Sequence, residues 1–365
     1  MHFNYKNSVK FILLNIKEMQ NFASRTNAML FTEYITLFNM YRKTFMKLKL
    51  LLFMIILLIL NFSASGAEES KIIACISAGI KHPFWELIVR GVKHEAIRLG
   101  YQTIILDSDD NPKKQVENTI YAISQQVKGI IISPTNSSSC PTVLSLAEES
   151  GIPVVIADIG TESGEYISTV ISNNRDGAYK VGELFAEQLS MRKRPCSVGI
   201  IAIDQKRLNG QARTSGFVDA LSSKVKVKIT LKQMENYTQE ETYNFIKEML
   251  ISEPNMDGIW LQTSHTYKAA FKAINESRKL NEIILAAFDA EPEFIELIKS
   301  GKILVTGMQQ PYLMGIRAAQ ALVGHLNGKK IPKVINVPLL LVNKQNIDSK
   351  LSIIEKDVFG KRKNK

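Results

Sequence analysis

The sequence is poor in the residue patterns that carry covalent or metal chemistry. Its 365 residues hold three cysteines, Cys75, Cys140 and Cys196, whose spacing fits no zinc or redox pair. The five histidines, at 2, 82, 94, 265 and 325, are dispersed without ligand spacing. There is no glycine-rich phosphate loop and no G-x-S-x-G elbow. Asp107-Ser-Asp109-Asp110-Asn111 begins like a calcium loop. Pro112 stands where that loop needs glycine and Asn118 where it needs glutamate, so the reading fails. No metal, cofactor or catalytic residue is therefore expected, and the protein is not expected to be an enzyme. Strong charge of one sign is lacking too. The net charge is +11, but residues 1–67 hold eight Lys/Arg against two Asp/Glu, leaving +5 scattered over the rest. That is too mild for a nucleic-acid footprint.

No spanning helix is expected either, because the unbroken apolar run Leu50–Leu60 has only eleven residues, short of the roughly 20 a span needs. Lys47 and Lys49 precede this run, and Ser65-Gly66-Ala67 follow it. That is the order of a secretory signal peptide. Residues 46–67 are read as that signal, with mature protein from Glu68 exported to the periplasm; an uncleaved membrane anchor is the competing reading. No cysteine lies at the cleavage point to carry a lipid anchor. Residues 1–45 lack clean periodicity and are rich in turn formers, so they are set aside as a doubtful extension ahead of a start at Met46. Cys75 and Cys196 fall within expected strands, which favours buried free thiols. One disulfide stays open as an alternative in an oxidising compartment.

From Lys71 onward the pattern alternates. Apolar runs of strand length, such as Lys71–Ala78, Gly129–Ser133 and Pro153–Ala157, are followed by amphipathic stretches of helix length. Continuous apolar strands are buried on both faces, as in a parallel sheet covered by helices. The scheme repeats from Ser197 to a final strand near Val334–Leu341. The expected fold is α/β, with two doubly wound parallel-sheet lobes joined by a multi-strand hinge and a ligand cleft between them. One lobe takes residues 68–173 plus about 310–338, the other about 174–309 plus 339–346. Residues 347–365 are expected to be a frayed basic tail.

Ligands in such sheets bind beyond the C-terminal strand ends. Asp158 and Asp289 each follow an apolar strand directly, where a carboxylate can accept two hydroxyl bonds at once. For Asp289 a helix N-cap is the competing reading. Arg213 lies early in a helix and can aim its fork of donors into the cleft. Phe84, Trp85 and Tyr237 can offer flat apolar faces to a small ring.

Eight strings in register carry a resemblance: Lys81–Trp85 (KHPFW), Leu99–Pro112, Gly129–Ser137, Gly151–Asp158, Ile171–Glu183, Ala212–Phe217, Ala286–Glu293 and Gly307–Gly315. They resemble the sugar-binding proteins of ribose and galactose ABC importers, with the ligand core of lactose-repressor-type regulators, over about residues 70–345. The resemblance implies a non-catalytic binder, monomeric, whose partners are a sugar-like small molecule and a membrane permease. A sensory subunit serving a histidine kinase or chemoreceptor is the alternative, and nucleic acid is excluded by the absence of a DNA-reading helix pair. It places Phe84 and Trp85 against the ligand ring, with Tyr237 closing from the other lobe. Asp158, Arg213 and Asp289 bind hydroxyls, and Gln309 lies near a hinge crossover. His82 stands where ribose-type members carry Asn, Ile159 where they carry Arg, and Thr263 where they carry Asn. The loss of that Arg points away from ribose, towards a deoxy, branched or otherwise less polar ligand or a non-sugar. Asn209 and Gln205 are the expected replacement contacts.

Overall fold

A computed structural model describes residues 15, 18, 34–46, 49, 54 and 71–361. The chain divides into two units, residues 1–70 and 71–365. In the first, residues 34–46 are helical with every side chain exposed. Tyr34, Leu37, Phe38, Tyr41 and Phe45 nevertheless recur at the spacing of one helix face, a periodicity the sequence reading of residues 1–45 did not find. The signal-peptide stretch 46–67 lies outside the described residues except for Met46, Lys49 and Met54. Among the described residues no helix is long and apolar enough to cross a membrane.

The second unit holds two six-stranded sheets. The first comprises β1 (Ile72–Ser77), β2 (Gln102–Asp107), β3 (Ile130–Ile132), β4 (Val154–Ala157), β5 (Ser168–Ile171) and β11 (Val334–Asn336), ordered β11-β5-β4-β3-β1-β2 and parallel throughout. The second comprises β6 (Cys196–Ala202), β7 (Val227–Gln233), β8 (Gly258–Leu261), β9 (Ile284–Phe288), β10 (Val305–Met308) and β12 (Leu340–Asn343), ordered β12-β10-β9-β8-β6-β7. Only its edge strand β12 runs antiparallel.

Period-two alternation builds both cores. In β1, Ile73 and Cys75 face one apolar cluster while Ala74 and Ile76 face another. In β8, Ile259 and Leu261 face one side and Trp260 the other. Each sheet is thus packed on both faces, which explains the unbroken apolar strands. All three cysteines are buried free thiols, and burial pushes Cys75 up to about 12.

Two expected elements take a different form. The single strand expected at Val334–Leu341 is two, β11 in the first sheet and β12 in the second. Pro338 lies between them and cannot donate to a ladder, so the chain changes lobes there. The other crossings lie between β5 and the helix Asn174–Ser190, and at Gln309-Gln310 after β10. The tail is the second departure. Ile347–Ile353 is helical and continues into a π-helical turn, Ile354–Val358. Ile347, Ile354, Val358 and Phe359 are buried in the second lobe's core, and Arg90 donates to the Phe359 carbonyl. Apolar residues at helical spacing outweigh the basic terminus; residues 362–365 lie outside those described.

Candidate functional site

Eight of the nine residues singled out from sequence line one cavity between the two sheets: His82, Phe84, Trp85, Asp158, Arg213, Tyr237, Thr263 and Asp289. The ninth, Gln309, is buried behind them and donates from Nε2 to Asp289 Oδ1 at 2.9 Å. Asp158 and Asp289 occupy matching places, each the first residue after a strand, at φ 70° and 67°. Left-handed backbone is uncommon for residues other than glycine, and it turns each carboxylate away from its strand into the cavity. Tyr237 is held the same way, at φ 55°. Asp289 is not a helix cap, because the next helix starts at Phe294 with Glu293 as its N-cap. The rejected calcium loop is instead a helix start, where Asn111 accepts from the Lys113 and Lys114 amides.

Arg213 is the centre of the second-lobe wall. Its Nε donates to Asn174 Oδ1 at 2.8 Å, and Nη1 to the Gln262 carbonyl at 2.7 Å and Asp289 Oδ2 at 3.3 Å. The guanidinium lies 4.0 Å over the Phe288 ring. Asp158 accepts from Asn209 Nδ2 at 3.0 Å, a bond between the lobes. Burial pushes the Asp158 carboxyl up to about 6, against the charge of Arg213 and with the help of Asp289. Burial raises Asp289 as well, although Arg213 and Gln309 oppose it.

Five cavity or latch residues were not among the nine. Arg207 bridges the lobes: Nε donates to the Thr135 carbonyl and Nη2 to Asp110 Oδ1, both at 2.9 Å. It also lies 5.0 Å over the Tyr237 ring. Asp110 meets His82 Nε2 at 2.9 Å on its other oxygen. Burial works against its ionisation, but His82 and Arg207 hold its carboxyl below the usual range. His265 Nε2 lies 2.9 Å from the Tyr237 carbonyl, which can only accept. Nδ1 therefore accepts from the Thr263 hydroxyl, also at 2.9 Å, and burial pushes this neutral imidazole down to about 4. Glu291 accepts from Ser264 Oγ at 2.8 Å; burial raises its carboxyl, with Glu293 and Asp289 adding to the effect. Asn209, expected as a replacement contact, lines the cavity. Gln205, the other, turns away to the Ile203 carbonyl and Thr214. The strand-end rule pointed to the loops of Asp110, Arg207, Asn209 and His265. Glu291, two residues past Asp289, carried no signal of its own.

Three buried acceptors in this group have no hydrogen bond of acceptable geometry: Asp158 Oδ1, Asn209 Oδ1 and Gln309 Oε1. Among the described residues no cluster of His, Cys, Asp or Glu is placed to hold a metal ion.

The family model described as periplasmic binding protein domain matches residues 73–330. The ribose import binding protein of Bacillus subtilis is 28% identical over 280 residues, covering 76% of this chain and 89% of its own. The D-apiose import binding protein of Paraburkholderia graminis is 26% identical over 285 residues, covering 76% and 90%. A carbohydrate transporter solute binding protein from Agrobacterium radiobacter, solved with D-arabinose, superposes with TM-score 0.73 at 20% identity, over 80% of this chain and 100% of that one.

Proposed function

The chain belongs to the periplasmic binding protein domain family, and on that premise we propose that it is the solute-binding component of an ABC importer. It is exported to the periplasm, holds a monosaccharide or similar small polyol between its lobes, and hands it to a membrane permease. The orphaned acceptors carry this reading. A buried acceptor without a partner costs about 1–3 kcal/mol; Asp158 Oδ1 and Asn209 Oδ1 belong to cavity-lining side chains, and Gln309 Oε1 lies in the layer behind. A ligand rich in hydroxyl groups brings the donors they lack. The names of the relatives that import ribose and D-apiose support the same class. Phe84, Trp85 and Tyr237 supply apolar faces, and Asp158, Arg213, Asp289 and Asn209 the polar contacts. His82 and Thr263 set the corners at which this cleft differs from a ribose site.

The Thr263 hydroxyl donates to His265, but burial pushes that imidazole down to about 4, which makes it a poor base. His265 is tied at both nitrogens, and His82 is engaged by Asp110. Binding and release are therefore the proposed chemistry. The test is a thermal-shift panel of monosaccharides and polyols on the purified protein. A ligand at 100 times its Kd adds about 2.7 kcal/mol, which raises Tm by several degrees. A flat response across the whole panel would remove the sugar reading.

A further inference from the structure

The cleft carries more negative charge than its own residues neutralise. Two guanidinium groups, Arg207 and Arg213, face four carboxylates, Asp110, Asp158, Asp289 and Glu291. Each arginine makes one ion pair, Arg207 with Asp110 at 2.9 Å and Arg213 with Asp289 at 3.3 Å. Among the described residues Asp158 and Glu291 have no cationic partner within ion-pair distance. His82 belongs to Asp110, and His265 is neutral by its bonding. Lys268, the lysine nearest in charge to Glu291, is exposed and paired with Glu293 at 3.0 Å. With the four carboxylates ionised, the balance stays negative whatever the proton count on His82. Ile159, wholly buried beside Asp158, brings no donor.

The two unpaired carboxylates differ. Asp158 is 1% exposed and tied to Asn209 on one oxygen, with its other oxygen among the orphaned acceptors suited to hydroxyl groups. Glu291 lines the cavity wall. Ser264 holds its Oε1, and among the described residues its Oε2 has no hydrogen-bond partner. A carboxylate oriented by one hydrogen bond, with its second oxygen free at a cavity wall, is arranged to accept a charge-assisted bond. The three orphaned atoms nearby, Asp158 Oδ1, Asn209 Oδ1 and Gln309 Oε1, are acceptors as well.

Resting on the small-polyol reading above, we infer that the ligand carries a protonated amine on its hydroxylated frame, an amino sugar or amino polyol, and that Glu291 reads that charge. The ammonium supplies three donors and a positive charge, where a neutral sugar leaves the excess uncompensated. Burial already raises the Glu291 carboxyl, so a cation beside it relieves an existing cost. The contact adds specificity as well as affinity, because a neutral analogue of the same shape leaves a half-buried carboxylate unpaired.

The experiment is calorimetric titration at pH 7 with matched sets: D-glucosamine, D-galactosamine and D-mannosamine, their neutral parent hexoses, and their N-acetyl forms, which keep the nitrogen without the charge. For at least one set the amine is expected to bind about tenfold or more tightly than both neutral forms. In Glu291→Gln that ratio is expected to collapse towards one. Neutral parents that bind as well as or better than their amines overturn the inference and leave the sugar reading standing. A ratio unchanged in Glu291→Gln overturns the role of that residue. Silence from every amine, parent and N-acetyl form overturns this inference, and the sugar reading falls with it only when the wider monosaccharide and polyol panel is flat as well.

Discussion

At the scale of single residues, the site holds acids whose ionisation is opposed by burial, and that makes it sensitive to pH. The Asp158 carboxyl is pushed up to about 6, chiefly by burial, while a hydroxylated ligand bonds best to its ionised form. The ligand-free cleft therefore holds a proton below about pH 6 that binding must release. Affinity is expected to rise with pH through about 6, approaching tenfold per unit on the acid side when one proton is displaced. Asp289 and Glu291 are raised too and act in the same direction. Titration of Kd from pH 5 to 8 checks this, and Asp158→Asn is expected to lose the step near 6. A wild-type profile flat across that range would show that Asp158 is ionised before the ligand arrives.

Arg213 illustrates a different economy. It is 3% exposed and satisfies Asn174, the Gln262 carbonyl and Asp289 at once. Arg213→Leu keeps an apolar stem but removes the guanidinium over Phe288 and strands a buried carboxylate and two acceptors. The loss is expected to be about 3–5 kcal/mol, read from urea unfolding of the ligand-free protein. This residue was legible from sequence as a donor at a helix start. Its load-sharing among three partners was not, because Asn174, Gln262 and Asp289 come from three distant segments.

At the scale of elements, each lobe is pinned by one closely packed helix pair, and glycine allows the approach. In the first lobe the helices Pro83–Arg98 and Pro311–Leu326 meet where a Cβ on Gly91 would strike the Tyr312 carbonyl and one on Gly315 the Ile88 carbonyl. In the second, Asn174–Ser190 meets Leu208–Lys224, where a Cβ on Gly216 would strike the Arg175 carbonyl and one on Gly182 would come within 2.8 Å of Ala220 Cβ. Backbone cannot yield as a side chain does, so Gly91→Ala and Gly216→Ala are each expected to cost about 2–3 kcal/mol or more. Gly100→Ala, at φ 82° with open space around it, is expected to cost about 1–2 kcal/mol by strain alone. Urea unfolding of the three variants checks the order.

The same glycines explain what the sequence hid. The helix Asn174–Ser190 opens with Asn-Arg-Asp-Gly and carries Gly182 in its middle, composition that reads as turn. Its conformation is decided by the partner helix, a long-range fact. Strand β5, Ser168–Ile171, alternates between buried and half-buried positions and is too short and too polar at its start to announce itself. By contrast β3 and β4, fully buried and β-branched, were legible at once, because burial on both faces leaves no room for polar residues.

At the scale of the whole molecule, the question is what holds the lobes together before a ligand arrives. Three successive residues make four polar contacts across the cleft: Arg207 to Thr135 and Asp110, the Leu208 amide to Ser137 Oγ at 3.1 Å, and Asn209 to Asp158. Arg207 is the strongest, with a charged partner and 7% exposure. A ligand favours the closed form only by its differential affinity for it, so any closure already secured by Arg207 raises apparent affinity by the gain in the competent fraction. Arg207→Met keeps an apolar body against Tyr237 and removes both bonds. The ligand-free radius of gyration, measured by small-angle scattering, is expected to increase, and apparent affinity to fall by about 10- to 100-fold. Saturating ligand is expected to restore the wild-type radius, since the contacts to Asp158, Arg213 and Asp289 remain. A variant that stays as compact as the wild type without ligand, while binding less tightly, would place Arg207 in ligand contact instead of in the latch.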